Sequence, residues 1–378
     1  MAISWGCRSC CKIDFNLTRK GISMSLLAVQ RLYNQGLEQS RMQTPGEVVG
    51  WLGAVQAQEY ALAKWALGLR MDMATDAQVE QAFNQGLILR THVMRPTWHF
   101  VTPADIRWLL ELTAPRVNAV NAYMYRKLEL DDALLVRSNA AIAQALTGGK
   151  HLTRLELATV LARAGIQADG MRLGYIVHRA ELDAVVCSGP RRGKQFTYAL
   201  LDERAPHART LSHEEALAEL VRRYFTGHGP AMVQDFVWWS GLTVADAKAG
   251  LDLAQSDLIE TVIDRQTYWA AASASIPPAP EKGSPTALLL PPYDEYTNYR
   301  QNGTLLDPAY LEQAKTAAFP GVTVIDGQMV GNWRRTLQAG AVVVESAPFR
   351  LFTAAEQDAF AAAAARFAAF LGLPVVLM

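Results

Sequence analysis

Two glutamines one residue apart, Gln56 and Gln58, are the most pointed chemical feature of this chain. They lie between the apolar residues Trp51 and Leu52 on one side and Leu62 and Trp65 on the other. A neutral amide in such surroundings needs hydrogen-bond partners. Residues two apart point about 200° apart on a helix, but the same way in an extended segment. If both glutamines serve one site, the helix breaks or turns near residues 55–58. On spacing alone the simpler reading is preferred, in which one glutamine caps a helix and the other is exposed.

Other residues suit contact with a polyanion. In the run from Arg90 to Phe100, strand alternation places Arg90, His92 and Met94 on one face. Arg90, His92, Arg95 and His99 are candidates for phosphate contact or for supporting a catalytic water. A strand pair with one wet face explains them equally well. Arg191-Arg192-Gly193-Lys194 sits where a hairpin tip is expected, and cations at Arg191, Arg192 and Lys194 suit phosphate or minor-groove contact. A solvated turn would look much the same. Gly331-Asn332-Trp333-Arg334-Arg335 reads as a turn into a basic strand, with Arg334 and Arg335 facing DNA. The carboxylates of Asp294-Glu295-Tyr296 admit acid–base chemistry, but a structural junction built with Arg300 is the favoured reading.

Composition sets the bounds. The chain has 378 residues, half of them hydrophobic, with 36 basic and 36 acidic side chains, so the formal net charge is zero. A DNA-binding surface here is a patch rather than a global excess. No apolar run is long enough to cross a bilayer, and the expected location is the cytoplasm. Cys7, Cys10 and Cys11 crowd the N-terminus without a second pair at zinc-ribbon spacing, so no metal and no cofactor is expected. Walker, nucleophile-elbow, zincin and dinucleotide fingerprints are absent, which removes the usual signals of nucleotide hydrolysis, serine hydrolysis, zinc proteolysis and hydride transfer.

The elements that position these residues come in groups. Helix-start signals recur at Thr44-Pro45-Gly46-Glu47, Thr75-Asp76-Ala77-Gln78, Thr153-Arg154-Leu155-Glu156 and Ser212-His213-Glu214-Glu215. The first group has helices over residues 25–35, 45–70 and 76–85, then strands at 87–94 and 97–101. The second has helices over 131–146, 154–164 and 168–182, then a hairpin over 184–200. The third has helices over 213–225, 230–240 and 244–254, then a hairpin over 258–270 turning at Asp264-Arg265. Helix, helix, helix, hairpin is the order of a winged helix, in which the third helix can enter the major groove. Strands at 287–290, 322–325, 328–330 and 341–345 follow, and then a helix over 353–371.

The expected class is therefore α+β: three tandem winged-helix motifs forming a concave DNA channel, followed by a small C-terminal β-rich, barrel-like domain with a terminal helix. The boundaries are an extension at 1–23, winged helices at 24–125, 126–206 and 207–271, a linker at 272–285 and the C-terminal domain at 286–378. Met24 is read as the true start.

Taken together, Gln56-Ala57-Gln58, Arg95-Pro96-Thr97-Trp98-His99, His228-Gly229-Pro230, Trp238-Trp239-Ser240-Gly241, Asp294-Glu295-Tyr296 and Gly331-Asn332-Trp333-Arg334 resemble the AlkZ-like winged-helix DNA glycosylases. The resemblance runs from about Met24 to the C-terminus. It implies that Gln56 and Gln58 are catalytic. A related subgroup carries aspartate at the second position; glutamine there resembles the branch acting on bulky adducts and interstrand crosslinks. The implied activity is a monofunctional glycosylase acting as a monomer on double-stranded DNA carrying alkylated, cationic purines. A non-catalytic winged-helix regulator, or a protein-interaction scaffold, would carry the same elements without base release.

Overall fold

The computed structural model describes residues 20–39, 42–274, 285–300, 305–316 and 319–378. The predicted extension falls largely outside these residues, as do Cys7, Cys10 and Cys11, although the backbone of 20–23 already belongs to the first helix. Most of the predicted linker is also outside them.

The first unit runs α1 (Lys20–Asn34), α2 (Pro45–Leu52), β1 (Val55–Gln56), α3 (Tyr60–Gly68), α4 (Asp76–Gln85), β2 (Leu89–His92) and β3 (Trp98–Val101). Thr44 and Glu47 form a capping box at the start of α2, and Thr75 and Gln78 form another at α4. The single helix expected over 45–70 is in fact two. Gly53, at φ +81°, ends α2, and the chain then extends to pair β1 with β3. The strand order is β1-β3-β2, with Val55 opposite Phe100 and Gln56 opposite His99.

A long helix, α5 (Ile106–Lys127), leads to the second unit: α6 (Asp132–Leu146), β4 (Leu152–Thr153), α7 (Arg154–Arg163), α8 (Gly170–Leu182), β5 (Val186–Ser188) and β6 (Thr197–Leu200). Its strand order, β4-β6-β5, repeats that of the first sheet. After the short α9 (Leu201–Arg204), the third unit runs α10 (His213–Gly227), α11 (Val233–Ser240), α12 (Val244–Leu253), β7 (Leu258–Ile263) and β8 (Gln266–Ala271). Here the bridging strand shrinks to one residue, Ala231, paired with Trp269. Asp264 and Arg265 both have positive φ, 49° and 64°, as a two-residue hairpin turn requires.

The remaining elements are β9 (Ala287–Leu290), α13 (Leu311–Thr316), β10 (Gly321–Ile325), β11 (Gln328–Gln338), β12 (Ala341–Pro348), α14 (Ala354–Leu371) and β13 (Val375–Leu377). The sheet is open, ordered β13-β12-β11-β10-β9, rather than barrel-like. Its apolar face is covered by α14 instead of by closure of the sheet on itself. Phe367 of α14 meets both Trp333 and Trp65, each with ring centroids 5.1 Å apart. The approach is close at Gly68, where a Cβ would come within 2.6 Å of the Phe370 ring.

One continuous core joins the first unit, the third unit and the C-terminal sheet. The second unit has a separate core, built from Leu135, Ile142, Leu157, Leu161 and Ile176 among others. Among the described residues no helix is long and apolar enough to cross a membrane.

Candidate active site

The site begins with the break between α2 and α3. Gln56 ends β1 and Gln58 lies in the bend after it, and their amides bond the loop after β2 and the first residue of β3. Gln56 Oε1 accepts from Arg95 Nη2 at 3.1 Å. Gln58 Oε1 accepts a longer bond from the Trp98 backbone N–H at 3.4 Å. Gln56 is half-buried and Gln58 exposed.

The pleat divides the other candidates between two faces of this small sheet. His99, opposite Gln56, is on the glutamine face. It is fully buried, and its Nδ1 donates to the Thr97 carbonyl at 3.0 Å. That bond leaves Nε2 as the acceptor of a neutral ring, and Nε2 has no partner among the described residues. Burial, helped by the Arg95 charge, lowers the His99 pKa to about 3. Arg95 itself is held on Gln56 by the third unit. The left-handed cap of α11, Gly241 at φ +72°, lies so close that a Cβ there would stand 2.5 Å from the Met94 carbonyl oxygen.

Arg90 and His92 occupy the opposite face. Arg90 is buried, donates to the Ala57 carbonyl at 3.0 Å and lies 4.2 Å from the Trp98 ring centroid and 4.7 Å from that of Phe196. Burial lowers its pKa to about 10. His92 bonds Glu181 through Nδ1 and stacks on His178 at 3.9 Å. Arg90, His92 and His99 were expected to contact phosphates or support a catalytic water, and phosphate contact is corrected for Arg90 and His99, which protein closes in. His92 is also largely buried, but its ring borders a cavity against α8.

The basic residues predicted at the second hairpin separate in the same way. Arg191 packs over Phe196 and Tyr60, 4.6 and 5.0 Å from their ring centroids. Arg192 is half-exposed and pairs with Glu156 at 2.7 Å. Lys194 is exposed, with no ion pair among the described residues. In the C-terminal sheet Arg334 forks onto its cross-strand neighbour Glu345 at 2.8 and 2.6 Å, and Arg335 is half-buried above Phe367.

Glu295, which sequence reasoning did not place at the glutamines, completes the site. Its Oε1 accepts the Gln56 backbone N–H at 2.9 Å. Its Oε2 accepts from Trp239 Nε1 at 2.8 Å and His228 Nε2 at 3.3 Å. Burial would raise the carboxyl, but the His228 interaction and the Gln56 N–H prevail and hold it at about 2. Beside it Asp294 receives both Nη atoms of the buried Arg70, at 2.7 and 2.9 Å. Tyr296 donates to the Gly327 carbonyl at 2.9 Å. The segment is a junction, but its buried arginine is Arg70 and not the expected Arg300, which is exposed. The motifs Gln56-Ala57-Gln58, His228-Gly229-Pro230, Trp238-Trp239 and Asp294-Glu295-Tyr296, far apart in sequence, meet at one carboxylate. A buried acid hidden in an aromatic motif was the available signal.

Chemically, the site offers two amide oxygens, a neutral imidazole and a fixed anion behind the strand. Lys64, the lysine nearest in sequence, is buried and paired with both Asp76 and Glu80 at 2.8 Å. Cys187 is buried, with its thiol pKa pushed up to about 12 by that burial. Among the described residues no cluster of metal-binding side chains is present.

The profile of the AlkZ-like DNA glycosylases matches residues 49–370. The chain belongs to this family. A relative, the interstrand DNA cross-link repair glycosylase of Streptomyces sahachiroi, is 25% identical over 318 residues, covering 80% of this chain and 85% of that protein. The solved structure of Streptomyces sahachiroi DNA glycosylase AlkZ shares the fold, with a TM-score of 0.76 and 22% identity over 94% of this chain and 99% of that one. In this AlkZ-like chain Gln56 stands on the edge strand of the first sheet, supported from behind by the third unit and the C-terminal domain, and Gln58 follows just beyond the strand.

Proposed function

We propose that this AlkZ-like chain is a monofunctional DNA glycosylase that hydrolyses the N-glycosidic bond of alkylated, cationic purines in duplex DNA, bulky adducts and interstrand crosslinks included. The observation that carries the reading is the placing of Gln56 and Gln58 at a helix break against the segment from Arg95 to Trp98, beside a buried carboxylate. A purine alkylated at N7 or N3 already leaves well. The enzyme then has to place a water and stabilise a sugar that becomes positive. Amide oxygens suit this role, because they orient water by accepting its hydrogens and face developing positive charge without acting as strong bases. A neutral base leaves far more slowly, which gives selectivity without a demanding pocket.

The three repeats read as winged helices, with α4, α8 and α12 as the third helix of each and the hairpins as wings around a DNA channel. The divisions at 24–125, 126–206, 207–271 and 286–378 belong to the same proposal. Lys194, Arg192 and Arg334 are the predicted cations that remain at the surface for phosphate contact. The ion pairs of Lys64 support water, rather than an amine, as the nucleophile, because a Schiff-base lysine must be free of its proton.

Single-turnover release of N7-methylguanine, with binding followed in parallel, tests the proposal. Gln56→Ala and Gln58→Ala should each slow release at least tenfold while leaving DNA affinity within a fewfold, since they act on the transition state. Borohydride should trap no protein–DNA adduct, and EDTA should leave the rate unchanged. Wild-type rates in both variants would overturn the catalytic assignment.

A further inference from the structure

Behind the glutamine strand, where the first hairpin meets α8, lies a cavity of about 220 Å³. His92, Trp98, Tyr175, His178 and Tyr198 give it an aromatic lining, and Arg154 also borders it. The rings are already organised: His92 stacks on His178 at 3.9 Å and lies 4.3 Å from Trp98, while Tyr175 lies 6.2 Å from His178. Trp98 is the residue whose N–H bonds Gln58, so the cavity is one residue from the candidate chemistry. His178 is more than nine-tenths buried, yet its Nε2 has no hydrogen-bond partner among the described residues. That nitrogen is covered by protein atoms, so His178 adds ring surface to the lining rather than a polar partner. Gly174 also lines it, and the room left by its missing side chain is taken by the end of Arg154.

Drug-sized sites span about 300–1,000 Å³, so this cavity suits a group of one or two rings. Stacked aromatic walls prefer a flat, electron-rich or electron-poor ring over an aliphatic chain. We propose that the cavity binds one planar aromatic group carried by the lesion-bearing DNA, either an unstacked base or an aromatic substituent on the alkylated base. This inference rests on the glycosylase reading above for its location on the DNA, but not for its test.

The test uses binding to DNA that cannot be cleaved. Duplexes carry 2′-fluoro-N7-methylguanine or 2′-fluoro-N7-benzylguanine, and affinity is read by fluorescence anisotropy for the full chain, Gly174→Leu and His178→Phe. A Cβ at Gly174 meets first the far end of the Arg154 side chain, at 2.7 Å, which can move aside. His178→Phe keeps a ring but adds bulk beside the cavity, so it reports even if the leucine variant folds poorly. If the cavity takes the substituent, both variants weaken benzyl-duplex binding at least tenfold and spare the methyl duplex. If it takes an unstacked base, both duplexes weaken alike. Wild-type affinity of both variants for both duplexes would overturn the proposal. A chain that binds selectively here but releases no base would instead overturn the glycosylase reading and leave this one standing.

Discussion

The backbone N–H of Gln56 donates to the carboxylate of Glu295, 239 residues further along the chain, at 2.9 Å. The bond ties an edge strand of two residues to the C-terminal domain. Trp239 and His228 bring the third unit to the same carboxylate. The position of Gln56 thus depends on three parts of the molecule at once.

Glu295→Gln keeps the shape but can offer only one oxygen where two now accept. At least one of the three donors is left unsatisfied or meets an N–H, a loss of about 1–3 kcal/mol for each buried group. Base release should fall more than tenfold, while binding of undamaged duplex changes little. The pH dependence of stability should change too. The Glu295 pKa lies below its ordinary 4.5, at about 2, so its contribution is full above about 4.5 and is lost as pH falls toward 2. Urea midpoints from pH 2 to 5 should show a shallower acid slope in Glu295→Gln. An unchanged slope would mean that the carboxylate is not held as described.

His99 gives a second pH window with the same direction but a different origin. Its pKa falls from 6.5 to about 3 because the ring is buried neutral. Below 6.5 the unfolded chain takes up a proton that the folded chain refuses, so stability declines from about pH 6.5 down to 3 and is complete above it. His99→Gln should remove that part of the slope. Base release by the wild type should show no step from His99 between pH 6 and 8, and a single-turnover pH profile checks this.

Much of this arrangement is written locally, and the part that is not has identifiable reasons. The cap signals at Thr44, Thr75, Thr153 and Ser212 each became a capping box, because a capping box involves only four consecutive residues. The hairpin turn at Asp264-Arg265 was legible for the same reason. α5 is hard to read from sequence, since Pro115 in its middle disfavours a helix and packing of Trp108, Leu109 and Val117 overrides it. β1 and β13 are too short for a period to be read, and exist because β3 and β12 offer a partner. The paired glutamines were legible as polar groups in an apolar run. Their support by Glu295 was not, because contact over such a separation leaves no local pattern. The burial of Arg90 and His99 was hidden for a related reason: alternation identifies two faces of a strand but not what covers them.

Gly241→Ala tests whether the third unit holds the Arg95 loop. Gly340, at φ +79° and with no heavy atom within 4 Å of where a methyl would stand, is the matched control; Gly241 has φ +72° and the Met94 oxygen at 2.5 Å. Left-handed strain alone costs about 1–2 kcal/mol, and should be all that Gly340→Ala loses. Gly241→Ala should lose a further ~1–3 kcal/mol from overpacking, and its base release should fall while the control keeps its rate. Thermal unfolding and single-turnover assays side by side decide the matter.

The last prediction separates the cations of the second hairpin, which the sequence presents as one cluster. Arg192 and Lys194 are exposed, whereas Arg191 lies over Tyr60 and Phe196. A phosphate contact releases counterions, so each one adds about 0.9 to the magnitude of the slope of log K against log salt. The double variant Arg192→Ala/Lys194→Ala should therefore flatten the slope by roughly 1–2, lowering affinity for damaged and undamaged duplex alike. Its melting temperature should barely move, because the Arg192–Glu156 pair is at the surface and such pairs contribute only about 0–1 kcal/mol. Arg191→Ala should do the reverse. It removes the guanidinium and its stem from two aromatic rings, so it should lower the melting temperature and leave the salt slope nearly intact. Salt titrations from 50 to roughly 200 mM span the range in which such slopes are resolved. A double variant with the wild-type slope would remove this hairpin from the DNA surface, and a flattened slope in Arg191→Ala would return that residue to it.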